Sequence, residues 1–325
     1  MKLPRRQFLH LAAGAAVLPA LSRAARAQAY PSRPVRIIVT VAAGGGADIT
    51  ARLMGQWLSE RLGQQLIVEN RSGGGGNIGT EAVVRAPPDG YTLLSVTIAN
   101  AVNATLYDNL SYNFIRDVAP VSGTIRVANV AYVHPSVPAK TIPELIAYAK
   151  ANPGKINMAS AGNGTSSHMA GELFKMMTGV NLVHVPYRGG APATTDLVGG
   201  HIQVIFAPVS EAIEHIKAGK LRALAVTTAS RLDVFPDVPA MADFVPGYEA
   251  SGFAGIGAPR GTPAEIIDLL NKELNAGLAD ARIRARIVEL GGTPLGGSAA
   301  AFGTLLSEAV QKWTKVIKFA GIKVE

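Results

Sequence analysis

Residues 35–54, with the sequence VRIIVTVAAGGGADITARLM, place a run of glycines between an apolar segment and a helical pattern. Val35–Val39 predicts a β-strand, and residues 48–62 predict a helix in which Leu53 and Trp57 recur near the helical spacing. A loop that leads from a strand into a helix exposes the unpaired backbone N–H groups of the first helical turn. Such groups favour anions, so this stretch predicts an anion-binding loop.

A second loop of this kind lies more than a hundred residues later, in INMASAGNGTSSHMAGELF (residues 156–174). It is also rich in glycine, and it carries three consecutive hydroxyl side chains at the predicted helix start. Hydroxyls at this position cap the helix or donate hydrogen bonds to a carboxylate. Two such loops on separate halves of the chain can hold a small anion from both sides, which is the geometry of a two-domain binding protein.

The first 29 residues have the features of an export leader. Arg5 and Arg6 lie in a basic start, and Phe8–Leu21 is a mostly apolar segment too short to span a membrane. The arginine pair predicts a twin-arginine signal, with an ordinary secretory leader as the alternative. Small residues predict cleavage near Ala27 or Ala29, and hence a periplasmic protein.

The leader also accounts for most of the net charge. The chain has 31 basic and 23 acidic residues, a net charge of +8, and five of the basic residues lie in the leader. Without them, 26 basic residues remain against 23 acidic ones, which leaves +3. We therefore expect no nucleic-acid partner. The chain has no cysteine, which excludes disulfides and thiolate metal sites.

After the leader, strand-like and helix-like segments alternate, which predicts an α/β fold with mostly parallel sheets. About 296 residues are too many for a typical single core, so we expect two domains. Further strands are predicted at 66–68, 91–96, 127–133, 182–187, 204–206 and 221–226, and further helices at 77–85, 263–279, 281–290 and 298–320.

Several short motifs follow one another along the mature chain in an order and spacing typical of one family. They are residues 43–48, 68–73 with 76–79, 88–93, the second glycine loop through His168, 185–189, 218–224, 235–239 and 258–263. Through these motifs the chain resembles the periplasmic solute-binding receptors of tripartite tricarboxylate transporters, also called Bug receptors. The resemblance covers essentially the whole mature chain.

This resemblance implies a two-lobed, periplasmic-binding-protein-like (Venus flytrap) fold with two hinge crossings. Lobe 1 is expected to comprise residues 30–126 and 252–325, and lobe 2 residues 127–251. The resemblance also implies a small organic carboxylate ligand, held in the interlobe cleft by backbone amides, hydroxyls and water. The partners it implies are the membrane permease subunits of a tripartite transporter. We expect a monomer that binds no cofactor and is not an enzyme.

The candidate ligand-binding residues lie in the two loops and in the turn after the strand at 182–187. They are Ala43, Gly44, Gly45, Gly46, Asp48, Ala161, Gly162, Gly164, Thr165, Ser166, Ser167, Tyr187 and Arg188. Asp48 is equally compatible with a helix N-cap, Tyr187 with a core residue and Arg188 with a solvated turn. His168 has the pattern of a helix residue whose hydrogen bonds are satisfied within the protein.

Two other functions stay open at this stage. Gly74–Gly79 matches G-x-G-x-x-G between a strand and a helix, as in an exported dinucleotide-binding oxidoreductase, but Thr97–Asn100 supplies no acid for the ribose. The other is a ligand-sensing receptor for a signalling partner. The chain contains no G-x-S-x-G, H-E-x-x-H or Walker A motif.

Overall fold

The computed structural model describes residues 30–44 and 46–322, so the predicted leader, its cleavage sites and Gly45 lie outside the described residues. The strands are β1 (Val35–Val39), β2 (Leu66–Asn70), β3 (Thr92–Thr97), β4 (Val118–Val127), β5 (Asn129–Val133), β6 (Asn157–Ser160), β7 (Val183–Pro186), β8 (Val204–Pro208), β9 (Arg222–Val226), β10 (Gly252–Pro259) and β11 (Gly292–Gly296). The helices are α1 (Gly46–Leu62), α2 (Asn77–Val84), α3 (Ile98–Leu106), α4 (Phe114–Asp117), α5 (Ile142–Ala151), α6 (Ser166–Thr178), α7 (Gly190–Val198), α8 (Val209–Lys217), α9 (Ala264–Ala279), α10 (Ala281–Glu289) and α11 (Ala299–Ala320).

The strands form two sheets, and each sheet is the centre of one lobe. The first has the order β11-β4-β10-β3-β1-β2 and the second the order β7-β6-β8-β5-β9. Helices flank both sheets, so the predicted two-lobed α/β architecture is confirmed. Both sheets are mixed, and most strands in each run in the same direction, as the sequence predicts. β1 pairs in parallel with β2 and β3, and β6 with β7 and β8, but β5, β10 and β11 pair antiparallel to their neighbours.

The antiparallel strands β5 and β10 follow from the two crossings between the lobes. β4 leaves the first sheet and, after Ala128 alone, becomes β5 of the second sheet; the chain returns between β9 and β10. A strand that enters a lobe at the hinge runs away from it, whereas the parallel strands of both sheets run toward it. The carboxyl ends of β1–β3 and of β6–β8 therefore all lie at the edges that face the other lobe. This topology places both glycine loops between the lobes.

The two lobes share a hydrophobic core on one side of the sheets. One buried cluster includes Val96 of β3, Ala131 of β5, Phe174 of α6 and Trp313 of α11. The C-terminal helix α11 contacts both α3 of lobe 1 and α6 of lobe 2, and so joins the lobes. On the opposite side each lobe has its own cluster, built on β1, α1, α9 and α10 in lobe 1 and on β5, β8, α7 and α8 in lobe 2.

Candidate functional site

The first glycine loop, residues 40–46, starts where β1 ends and leads into α1. Residues 42–44 and Gly46 are exposed. Gly44 has a φ of +87°, a left-handed backbone conformation that favours glycine. A Cβ placed on Gly44 or on Gly46 meets no atom within 4 Å. The loop therefore presents its backbone, together with the first turn of α1, to the space between the lobes.

Asp48, the third residue of α1, fastens this loop to lobe 1. Its carboxylate is buried and accepts hydrogen bonds from Gly44 N–H at 2.9 Å, Asn70 Nδ2 at 2.9 Å and Arg52 Nε at 3.0 Å. Burial by itself raises the pKa of Asp48, but these hydrogen bonds and the Arg52 charge hold it below its ordinary value. The carboxylate is occupied by protein donors, so the geometry gives Asp48 a positioning role for the loop.

The second glycine loop, residues 161–165, is fastened by hydroxyl groups instead. Thr165 is the N-cap of α6, where its Oγ1 accepts from His168 N–H at 3.4 Å and donates to Gly162 O at 2.7 Å. Ser167 Oγ accepts from Ala161 N–H at 2.9 Å. Two of the three predicted hydroxyls therefore hold the loop in shape through bonds within the protein.

Ser166 is the third hydroxyl, and its Oγ has no hydrogen-bond partner among the described residues. It is half-buried beside the second crossing, since a Cβ on Gly252 would lie 3.6 Å from Ser166 Cβ. Asn129, at the start of β5, donates from Nδ2 to Ser166 O at 3.5 Å and to Ala250 O at 3.3 Å. The Oδ1 of Asn129 is buried without a partner. The geometry thus adds Asn129 as a candidate that the sequence reasoning missed, although an asparagine in an otherwise apolar strand was a visible signal.

Two stacked histidines support the second loop from below. The rings of His168 and His184 lie 3.8 Å apart, His168 Nδ1 accepts from Gly164 N–H at 3.1 Å, and His184 Nε2 lies 2.6 Å from Ser160 Oγ. Burial, with the charges of His184 and Lys175, lowers the pKa of His168 to about 3, and burial with Lys175 lowers the pKa of His184 to about 4. Both rings are therefore neutral at neutral pH, and they hold the loop as hydrogen-bond partners.

The turn after β7 is joined to the second loop by backbone hydrogen bonds from Tyr187 N–H to Ser160 O (2.9 Å) and from Gly189 N–H to Ala161 O (3.1 Å). The Tyr187 side chain packs against the lobe 2 cluster, and its hydroxyl donates to Asp196 at 2.6 Å. Burial and Asp196 raise the pKa of Tyr187 to about 12. Arg188 is exposed and has no carboxylate within 4.0 Å in the described part of the chain.

The carboxyl end of α3 lies beside the second glycine loop of lobe 2 and beside the Gly74–Gly76 turn of lobe 1. A Cβ on Gly164 of lobe 2 would lie 3.1 Å from Leu106, and a Cβ on Gly75 of lobe 1 would lie 2.6 Å from the Tyr107 hydroxyl. Within residues 30–44 and 46–322, no hydrogen bond joins the first glycine loop to the second. The two loops are therefore separate walls, one on each lobe.

The G-x-G-x-x-G stretch has a structural explanation in the same region. Gly74–Gly76 forms a 3₁₀ turn whose glycines all have positive φ. Asn103 Nδ2 of α3 donates to Gly75 O at 2.8 Å. A Cβ on Gly79 would lie 2.7 Å from Arg71 O. Close packing against α3 and Arg71 accounts for these glycines without a bound dinucleotide.

Other kinds of site are less well supported in the described part of the chain. It holds no group of three or more His, Cys, Asp or Glu side chains able to bind a metal ion. None of its helices is both long and apolar enough to cross a membrane. Four surface cavities are lined by residues outside the two glycine loops. One of them lies beside the hinge and is lined by Arg126 and Val288, among others.

Comparison with known proteins places this arrangement in a family. Residues 50–322 match the family model described as the tripartite tricarboxylate transporter family receptor. The protein BugT of Bordetella pertussis is 35% identical over 302 residues, which are 92% of this chain and 93% of BugT.

Two similar solved structures contain ligands. The R. palustris protein Rpa4515, solved with adipate, is 36% identical in sequence and aligns with a TM-score of 0.80. The alignment covers 90% of this chain and 99% of the Rpa4515 chain. MatC from Rhodopseudomonas palustris, solved with bound malate, is 28% identical in sequence and aligns with a TM-score of 0.76. The alignment covers 89% of this chain and 100% of the MatC chain. The chain therefore belongs to the tripartite tricarboxylate transporter receptor family.

Proposed function

We propose that this protein is an extracytoplasmic solute-binding receptor and not an enzyme. It captures a small organic carboxylate between its lobes, here assigned as residues 30–126 with 252–325 and residues 127–251, and delivers it to the membrane permease subunits of a tripartite transporter. It is exported to the periplasm by the leader at residues 1–29 and acts there as a monomer.

One observation carries this proposal: two glycine-rich helix starts, on α1 and α6, lie at the facing edges of the two lobes. Their first-turn N–H groups and positive helix ends favour a carboxylate on each side. Asp48 and Thr165 hold the loops by bonds within the protein, and the Asp48 carboxylate occupies Gly44 N–H, so the exposed backbone at Gly46 and the Ser166 hydroxyl remain for the ligand. The adipate and malate in the related structures support a carboxylate ligand.

The ligand class is tested by thermal unfolding with a panel of mono-, di- and tricarboxylates. A bound carboxylate raises the melting temperature by mass action, whereas its amide or ester raises it far less. Equal shifts from an acid and its amide would mean that the carboxylate is not the recognised group.

The location of the site is tested with Gly46→Val and Ser166→Ala. The valine side chain points into open space at the helix start, so it leaves the fold intact and blocks the close approach of a ligand. We expect it to weaken the best ligand of the panel by at least about tenfold. Ser166→Ala should weaken it by about 1.5–3 kcal/mol, because the hydroxyl donates to a charged acceptor.

Ala300→Val, at an exposed position in the first turn of α11, is the matched control and should bind like the wild type. If Gly46→Val also binds like the wild type by titration calorimetry, the first loop is only a helix start and the ligand lies elsewhere.

A further inference from the structure

Glu211 lies on the wall of lobe 2 that faces the other lobe. It is the third residue of α8, directly after β8. β8 is a parallel neighbour of β6, whose carboxyl end carries the second glycine loop. Glu211 is therefore on the same edge of the sheet as that loop, although it is more than forty residues away in sequence.

The Glu211 carboxylate rests against the first residue of α7. A Cβ on Gly190 would overlap both carboxylate oxygens, so only glycine leaves room for the acid there. Gly190 follows the turn of Arg188 and Gly189, and Gly189 N–H donates to Ala161 O of the second loop. The carboxylate thus lies beside the turn that continues the wall of the proposed cleft.

This carboxylate has no partner among the described residues. Its Oε2 is buried without a hydrogen bond, and burial raises the pKa of Glu211. Three other buried or partly buried acids in the described chain have cations, since Asp48 has Arg52 at 3.0 Å, Glu249 has Lys312 at 2.9 Å and Glu172 has Lys175 at 2.9 Å. The half-buried Asp196 has no cation but accepts a hydrogen bond from the Tyr187 hydroxyl. An uncompensated, partly buried carboxylate is costly, and a cation or hydrogen-bond donor supplied from outside relieves that cost.

We propose that Glu211 determines the specificity of the cleft by selecting an organic carboxylate that also carries an ammonium group. This inference rests on the proposed function. The exposed Arg188 and Glu211 flank the same Gly189–Gly190 turn with opposite charges, which matches a zwitterion. A dicarboxylate without the ammonium group places a second negative charge near Glu211, where like charges repel. The adipate and malate seen in the related structures have no such group.

The test is titration calorimetry with matched pairs of ligands that differ only in the amino group: aspartate and succinate, glutamate and glutarate, 2-aminoadipate and adipate. In the wild type, at least one amino dicarboxylate should bind about tenfold more tightly than its unsubstituted partner, as expected for a hydrogen bond between charged groups. Glu211→Gln keeps the shape and removes the charge. It should lower that ratio by about tenfold and leave unsubstituted acids bound as tightly or more tightly.

Glu214→Gln is the control, since Glu214 is exposed on the same helix and, among the described residues, pairs only with Lys217 at 3.6 Å. It should bind every ligand like the wild type. Unfolding without ligand establishes that Glu211→Gln is folded. If both members of every pair bind equally, or if Glu211→Gln changes both equally, the role of Glu211 is wrong while the receptor function stands. If no carboxylate binds at all, the proposed function fails and this inference fails with it.

Discussion

The two glycine loops have the same outline but are held by different chemistry. The first is fastened by an ion pair in which the buried Asp48 carboxylate binds Gly44 N–H and Arg52. The second is fastened by neutral groups: the Thr165 and Ser167 hydroxyls bond to Gly162 O and Ala161 N–H, and the His168 ring accepts from Gly164 N–H. The stability of a loop held by an ion pair depends on pH differently from that of a loop held by neutral hydrogen-bonding groups. The loops can therefore be weakened one at a time, which separates their contributions to stability and binding.

Mild acid should break the second loop first, and this is the largest effect expected. The pKa of His168 is lowered from 6.5 to about 3. Below pH 6.5 this imidazole is therefore protonated in the unfolded chain but stays neutral in the folded chain. The free energy of unfolding then decreases as the pH decreases, by up to about 1.4 kcal/mol per pH unit for His168 and by a similar amount for the stacked His184, whose pKa is lowered to about 4. The pKa of Asp48 is lowered from 3.8, so its contribution persists until the pH falls below that value.

Urea unfolding between pH 6.5 and about pH 4.5 measures this slope. His168→Gln should flatten it, whereas replacing the exposed His201 by glutamine should not. An unchanged slope in His168→Gln would place the acid sensitivity at other groups.

Asp48→Ala should break the first loop at neutral pH. The substitution leaves Gly44 N–H and Asn70 Nδ2 without their acceptor and removes the partner of Arg52, at a cost of about 3 kcal/mol. Glu60→Ala, an exposed acid on the same helix, should change the free energy of unfolding by less than about 0.5 kcal/mol. Equal urea midpoints for the two variants would show that the Asp48 carboxylate does not stabilise the first loop.

Thr165→Ala should give the smallest effect, the loss of one neutral helix cap. We expect a destabilisation of about 1 kcal/mol, because the His168 N–H loses its acceptor at the start of α6. Thr165→Ser keeps the hydroxyl and should restore most of that stability. A serine variant as unstable as the alanine variant would assign the effect to the lost methyl group.

Part of the fold was readable from the sequence because it depends on local patterns. β1 occurs at the predicted Val35–Val39, where four apolar residues form a strand that is buried except at Arg36. β4 and β11 were not predicted. β4 contains Pro120 and Gly123, and β11 is the short segment Gly292–Gly296, so neither has the composition of a strand. Pairing across the sheet stabilises both, and a local pattern does not carry that information.

The candidate site shows the same limit. Glycine loops between strands and helices are local signals, and they led to the edges that face the other lobe. Which of Thr165, Ser166 and Ser167 holds the loop, and which remains available for a ligand, depends on which hydroxyl meets a nearby backbone group after folding. Glu211 gave no signal, because its relation to Gly190 arises only when β7 and β8 come to the same edge of the sheet.

The core that continues across the two lobes has a consequence for how this protein unfolds and evolves. Trp313 and its neighbours on α11 are buried by residues of both lobes, so neither lobe removed from the chain retains a complete interior. Such a molecule melts as one cooperative unit, even though its outline suggests two modules. Its lobes are also poor candidates for exchange between receptors, because a transplanted lobe brings only half of the surface that α11 must cover.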